Sequence, residues 1–423
     1  MAAAAPRLGP ALAAYQPSND AAEHLLLARS LARGEGFTLP IRVRDVGGGP
    51  AVHEAFAERA PLYPALLSLP VRAGVGAEGW PDPRLQLLGV VLAALCAPLA
   101  ASVAFELARR SGLEGWSAAW VGVGAGLVVA WSPGLVRASI HLWAEPLGLL
   151  LVLAAARLDL ALDEEGGGWR LAALAGLIGG LARFARPEAW VVVPLLLARA
   201  AWRARGATER RGEALALVGA LALVNVVGVV ATGVLAPQLF LLEVRHYEDA
   251  MGLAAAPAAP TLAGVLEGVV RNLAGQLGYL LLPKNAWFVL PLAGLALLRP
   301  GGRSAVHAWA IAFVLATAGV WSTHDPHRFT IAPLALLAPV ALLEAELWRR
   351  ELWPGRRLPI ALLGGSLVLV LGYAAGRELR GRGPERPPDV IAQEGVPALA
   401  DPWSYALLTG RPAVLLAPGA APR

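Results

Sequence analysis

The sequence predicts an all-α polytopic membrane protein with about ten transmembrane helices. Three observations carry that expectation. Hydrophobic residues make up 57% of the 423 residues and charged residues only 16%, with a mean hydropathy of +0.56. A soluble domain carries about 25% charged residues. The apolar residues gather in runs separated by loops, and the arginines concentrate in alternate loops. Backbone polar groups in a bilayer must be satisfied internally, so such runs read as helices.

Taken in order, residues 2–14 are Ala-rich but broken by Pro6, Arg7 and Pro10. They are too short and interrupted to cross ~30 Å of hydrocarbon. Arg7 follows the Ala run instead of preceding an apolar core, so they also make a poor signal peptide. Pro17 to His24 is a polar turn that enters a short amphipathic helix over 20–33. There Asp20, Glu23, His24 and Leu27 fall at i, i+3, i+4 and i+7, so Asp20 and His24 share a face. Ser18 or Asn19 offers the cap. Residues 34–60 are charged and Gly-rich, with Gly47-Gly48-Gly49-Pro50, and read as a mobile loop. Arg59-Ala60-Pro61-Leu62-Tyr63-Pro64 then opens an apolar segment at 62–72, short enough to be interfacial or re-entrant.

The spans follow at 86–107, 116–131, 141–158, 171–184, 188–204, 213–235, 286–299, 304–321, 329–347 and 358–375. The runs 171–184 and 188–204, joined by Ala185-Arg186-Pro187, form either a tight hairpin or one broken helix. Short loops carrying Arg109/Arg110, Arg170, Arg203/Arg205/Arg210/Arg211, Arg299/Arg303 and Arg349/Arg350/Arg356/Arg357 are assigned to the cytoplasm. The other loops are assigned outside: residues 1–84, 132–140, 185–187, 237–285, 322–328 and the tail from 377. Six of the seven histidines lie in these loops or, for His141, at the edge of one, so chemistry is expected on the non-cytoplasmic face.

This gives three regions: an outer loop at 1–84, a transmembrane domain at 85–376 with its outer loop 237–285, and an outer tail or partial soluble unit at 377–423. The amphipathic run 261–282 is expected to lie on the membrane surface. Tryptophans 80, 131, 143, 287, 321, 348 and 353 read as an interfacial belt, with sugar stacking the alternative at Trp143 or Trp287.

Composition and motifs also exclude. The net charge of +5 lies in interhelical loops, not on a basic face, so nucleic acid is not an expected partner. One cysteine, Cys96, excludes an intramolecular disulfide and a cysteine metal cluster. There is no P-loop, dinucleotide fingerprint, HExxH or nucleophile elbow.

Four stretches together resemble the GT-C glycosyltransferases, in particular the family 39-like branch of protein O-mannosyltransferases and lipid A aminoarabinose transferases. The first runs from Asp20 through Leu27-Ala-Arg-Ser-Leu-Ala-Arg-Gly-Glu-Gly-Phe37 to Arg59-Ala-Pro-Leu-Tyr-Pro64. The others are Ala144-Glu145-Pro146-Leu147, Gly180 to Ala189, and His327-Arg328-Phe329-Thr330-Ile331-Ala332-Pro333. The tail from Asp401 to Val414 resembles the outer C-terminal unit of bacterial members.

The resemblance implies inverting transfer of a sugar from a polyprenyl-phosphate donor to a lipid, glycan or protein acceptor, in the inner (plasma) membrane and on its outer face. It implies that Asp20 is the catalytic acidic residue. The leaving phosphate calls for guanidinium forks or an ammonium. The candidates on the outer face are Arg59, Arg186, Arg328 and Lys284, the only lysine. Arg186 stands at membrane level, where charge is expensive and usually functional. Glu145 and Tyr63 complete the expected substrate-binding set. No cofactor is required by the sequence; a divalent metal is admitted, with Asp20, Glu23 and His24 as its ligands. The His324-Asp325-Pro326-His327 turn is a further candidate.

Members of that branch begin with a transmembrane helix before the acidic residue, and many carry a second acid beside it. This sequence shows no such helix, so one helix of the set is expected to be missing, and Asn19 precedes Asp20. Two rival readings follow. One is a lipid-linked-sugar flippase, which would need charge along a path through both leaflets; the sequence places little in the inner halves of the spans. The other is a truncated, inactive member.

Overall fold

The apolar runs fold as helices where the sequence marks them. The computed structural model describes residues 19–37, 41–44, 52–54, 60–77, 82–164, 168–206, 210–232, 262–282, 285–298, 305–318, 326–352 and 413–415. The first helix, α1 (Asn19–Arg33), has Asp20 in its first turn and Arg33 in its last, each favourable to the helix dipole. Gly34 ends it with φ +78°, and Glu35 N–H donates to Ser30 O at 2.9 Å. Strands β1 (Ile41–Arg44) and β2 (Val52–Glu54) follow, then α2 (Leu62–Arg72).

The helical body comprises α3 (Pro83–Arg110), α4 (Gly115–Ala130), α5 (Pro133–Ile140), α6 (Glu145–Ala161), α7 (Gly168–Ala185) and a 3-10 turn at Pro187–Val191. It continues with α8 (Val192–Gly206), α9 (Arg210–Thr232), α10 (Leu262–Leu280), α11 (Val289–Leu298), α12 (Ala305–Ala318), α13 (Pro326–Phe329) and α14 (Ile331–Leu352). Strand β3 (Ala413–Leu415) comes last. The expected span at 358–375 lies outside the described residues.

Among the described residues, α3, α9 and α14 are long and apolar enough to cross a bilayer alone. The pair α4 and α5, bent by 51°, makes a fourth if taken as one broken span. The protein is a multi-pass membrane protein. Trp116, Trp169, Trp202 and Trp348 are exposed at the arginine-rich end, and Trp190 and Trp287 at the other. This is the distribution of an interfacial belt.

The two runs around Pro187 are a hairpin: Gly179 of α7 packs against Val192 and Leu196 of α8. A single broken helix would not bring those residues together. Helices α7 and α9 pack closely because α7 presents Gly176 against Leu217 and Gly180 against Val224, while Gly228 receives the Phe184 ring.

Three differences from the sequence reading matter. Residues 21–30 of α1 are buried throughout, including Glu23 and His24, so α1 is a core element and not a half-solvated one. Helix α2 covers it, with Arg72 Nη2 donating to Leu31 O at 3.1 Å and Arg29 Nε to Gly76 O at 2.9 Å. The stretch expected as a mobile loop holds β1 and β2, paired antiparallel with Arg42 opposite Glu54. Strand β3 of the tail adds to β1 in parallel, Ile41 opposite Ala413, giving the order β2-β1-β3. Strand pairing requires both segments on one side of the membrane, the side to which the loop pattern assigns them together.

The third difference is in the charges. Buried Glu106, Asp159, Glu344 and Glu346 lie inside α3, α6 and α14. The inner halves of the helices are therefore not charge-free. Glu106, Asp159 and Glu346 are held in ion pairs with arginines, not strung along a path through both leaflets.

Candidate active site

The site is assembled at the helix ends opposite the arginine-rich loops. Each of its charged side chains is placed by a local rule. Glu145 is the first residue of α6, with Pro146 next to it in the first turn. The helix dipole there favours an ionised carboxylate. The preceding turn is tight enough to put Leu142 at φ +53°, an uncommon conformation for a residue other than glycine. Arg186 precedes a proline, which disfavours the helical conformation for it; it is extended at φ −147°, ψ 129° and ends α7. Arg328 stands in the single turn of α13, directly before α14. Asp20 sits in the first turn of α1.

These four meet in one ionic chain. Arg328 Nη1 donates to Asp20 Oδ2, joining residues 308 positions apart. Arg328 Nε donates to Glu145 Oε1 at 2.5 Å, and Arg186 Nη1 lies 3.1 Å from the same oxygen. Arg186 continues to Glu188, with Nε at 2.7 Å and Nη2 at 2.5 Å from its Oε1. Glu145 is thus bridged by two guanidiniums. The stem of Arg186 lies directly on Gly148, one turn along α6, where any Cβ would overlap its Cγ.

A small open cleft of about 20 Å³ lies beside this chain, lined by Glu145, Gly148, Arg186, Glu188, Arg328 and Phe313 among others. Among the buried polar atoms at this end, Glu145 Oε2 and the phenolic oxygen of Tyr63 have no hydrogen-bond partner among the described residues. Tyr63 is fully buried, edge-on to His24 at 5.2 Å between ring centroids. Burial and the charge of Glu145 push its phenol well above the ordinary value, so it remains an O–H donor.

Of the expected site residues, Asp20, Glu145, Arg186 and Arg328 are brought together, and Tyr63 stands close enough to feel Glu145. Arg59 and Lys284 lie outside the described residues, as do His324 and Asp325. Glu23 and His24 are buried beside Asp20 on α1. Among the described residues, no three carboxylate, imidazole or thiol groups are gathered as metal ligands. The expected trio does not form a ready cation site.

Four residues outside the expected site set also stand here: Trp143, Arg137, His141 and Glu188. Trp143 is not a belt residue: it is 5% exposed and lies under Arg328, 4.4 Å from the guanidinium carbon to the ring centroid. Arg137 of α5 approaches the same ring at 5.6 Å and His141 stacks on it at 5.5 Å. Glu188 anchors the far end of the chain.

No protein-family model and no curated protein matches the sequence. Solved structures do match the fold. ArnT from Cupriavidus metallidurans, in its complex with undecaprenyl phosphate, superposes with a TM-score of 0.53 at 15% identity, over 87% of this chain and 63% of that one. The apo oligosaccharyltransferase of Archaeoglobus fulgidus gives 0.55 at 13% identity, over 95% and 61%. The chain spans less than two thirds of either protein. Both are GT-C membrane glycosyltransferases, and the fold found here is theirs.

Proposed function

Starting from the GT-C fold, we propose that this protein transfers a sugar from a polyprenyl-phosphate donor to an acceptor at the non-cytoplasmic membrane face, with inversion. The observation that carries the reading is the convergence of Asp20, Arg328, Glu145 and Arg186 beside a cleft, from four elements distant in sequence. ArnT, which shares the fold, binds undecaprenyl phosphate in its crystal structure. A lipid phosphate of that kind is the donor carrier proposed here.

In this reading the acceptor's nucleophilic atom attacks the anomeric carbon as the bond from that carbon to the phosphate oxygen breaks. The acceptor's proton passes to the Asp20 carboxylate, and the bonding pair leaves with the phosphate. A single displacement inverts the centre. The Asp20 carboxylate is held against the Arg328 guanidinium and works by position. Arg186 and Arg328 meet the phosphate's developing charge.

The charge balance sharpens this assignment. The chain from Asp20 to Glu188 has three carboxylates against two guanidiniums, so both arginines are already engaged. A phosphate therefore competes for them or brings further positive charge with it. Arg59 and Lys284 are the side chains assigned to that role. The acceptor is a lipid, glycan or protein group able to lose a proton. No step runs through a metal.

The test is Asp20→Asn in membranes supplied with labelled polyprenyl-phosphate sugars. Transfer is expected to fall by about 10²–10⁴-fold, the usual range for a general base, with insertion and expression unchanged. Full activity in that variant would end the assignment.

A further inference from the structure

One charged side chain at this end of the molecule takes no part in the site. Arg183 lies one helical turn before Arg186 on α7 but faces α9. There its Nη1 donates to Asn225 Oδ1 at 2.6 Å. The Asn225 amide is oriented for this: its Nδ2 donates back to Leu221 O at 2.7 Å, leaving Oδ1 toward the arginine. The close α7–α9 packing at Gly176, Gly180 and Gly228 brings the two side chains within reach, and the guanidinium lies 5.6 Å from the Phe184 ring. Among the described residues Arg183 has no ion pair; its hydrogen-bond partner is neutral.

That charge is at membrane depth. Asn225 is about 22 Å along α9 from the Arg210 end, at ~1.5 Å per residue. On either side of it α9 exposes Leu223, Val226, Val227 and Val230. A guanidinium held among lipid-facing side chains is costly and characteristically functional. A protein counter-charge would have removed much of that cost; a neutral amide does not.

We propose that Arg183 and Asn225 form a docking point for the phosphate headgroup of the lipid donor, at the membrane-facing seam of α7 and α9. This rests on the function proposed above and adds where the donor is first held. Asn225 holds one edge of the guanidinium fork, and its remaining N–H groups meet the phosphate. A lipid fits the position better than free phosphate, because its tail lies along the apolar face of α9 while its headgroup reaches Arg183. Only three residues, at most ~11 Å of chain, separate Arg183 from Arg186, so the step between the two is short.

The alternative is a plain interhelical clamp. Two variants separate the two roles because they act oppositely on the clamp and alike on the charge. Arg183→Gln keeps a donor for Asn225 but removes the charge. Asn225→Asp strengthens the pair and neutralises the guanidinium in place. Both proteins are reconstituted in phosphatidylcholine nanodiscs and titrated with a polyprenyl monophosphate, with phosphatidylglycerol and inorganic phosphate as separate arms.

Each variant is expected to weaken polyprenyl-phosphate binding by roughly tenfold, with little change in the other two arms. Unchanged binding in either variant overturns the proposal, as does equal binding of phosphatidylglycerol or inorganic phosphate to the wild-type seam. Thermal melts check folding, and the melt of Asn225→Asp is not expected to fall. Asp20→Asn, which leaves Arg183 intact and frees Arg328, is not expected to weaken binding. Loss of the catalytic assignment and loss of this one are therefore distinguishable.

Discussion

Helix α6 carries buried acid at both ends, and the two ends are built differently. Glu145 opens the helix and belongs to the cleft; Asp159 lies about 21 Å further along in a cluster at the arginine-rich end. That cluster pairs Glu106, Asp159, Asp163 and Glu164 with Arg110, Arg157, Arg199 and Arg203, four against four. Asp159 also accepts from Trp309 Nε1 at 3.3 Å, and Arg210 Nη1 reaches Leu162 O at 3.1 Å. Among the described residues, the chain from Asp20 to Glu188 has three carboxylates against two guanidiniums, a Glu145 oxygen without a hydrogen bond and a small cleft beside it. A saturated ion cluster holds helices together. An unbalanced one beside a cavity is equipped to receive a ligand.

The largest expected effect separates these roles directly. Asp159→Asn removes the buried acid shared by Arg199 and Arg203 and leaves Asp163 as the one carboxylate between the two guanidiniums. It is expected to destabilise the protein by about 3–5 kcal/mol, with transfer per folded molecule preserved. Glu145→Gln leaves two carboxylates with two guanidiniums, so its thermal cost is expected to be smaller while transfer collapses. Melting curves and turnover on the same membranes check both. If Asp159→Asn abolished turnover at full folding, the two ends would not be functionally distinct.

Glycine substitutions sharpen the comparison at lower cost. Gly148→Ala puts a methyl group into the Arg186 stem, and Gly176→Ala puts one into the Leu217 carbonyl at the α7–α9 contact. Overpacking of this kind costs about 1–3 kcal/mol. Gly148→Ala is expected to lower kcat and to add nothing further in an Arg186→Ala background, whereas Gly176→Ala is expected to lower Tm alone. Additive losses for Gly148 and Arg186 would show that Gly148 does not act through that arginine.

The smallest effect concerns Tyr63. Its pKa is raised in the folded state, so its contribution to stability is complete below the unfolded value near 10 and is lost as pH rises above it. Tyr63→Phe is expected to flatten the alkaline fall in Tm above about pH 10 relative to wild type. Parallel Tm–pH curves would place the phenol outside this buried, acid-facing environment.

Much of this is legible in the sequence because bilayer helices are written in long apolar runs. The predicted segments 62–72, 171–184 and 188–204 are observed as Leu62–Arg72, Gly168–Ala185 and, after a 3-10 turn, Val192–Gly206. Asp20, Glu145, Arg186 and Arg328 are singled out because their stretches resemble those of GT-C glycosyltransferases, with the cost of charge at membrane level a further reason for Arg186. Trp143 reads as a belt residue and is not one, since a tryptophan near a helix end has the same signature whether it faces lipid or a cleft. Strands of three and four residues in a Gly-rich stretch carry no periodicity long enough to read, and β1 and β3 are separated by hundreds of residues.

The sequence by itself determined the solvent of this protein, the order and limits of most of its helices, and the small set of charges available for chemistry. Those properties follow from local composition and periodicity. Only the tertiary structure decided which charges meet, that Glu145 is shared by two arginines, that α1 is enclosed, and that Arg183 points away from the site one turn from Arg186. Side-chain pairing across 183 and 308 residues depends on how helices pack, and close packing at Gly148, Gly176 and Gly180 sets that geometry.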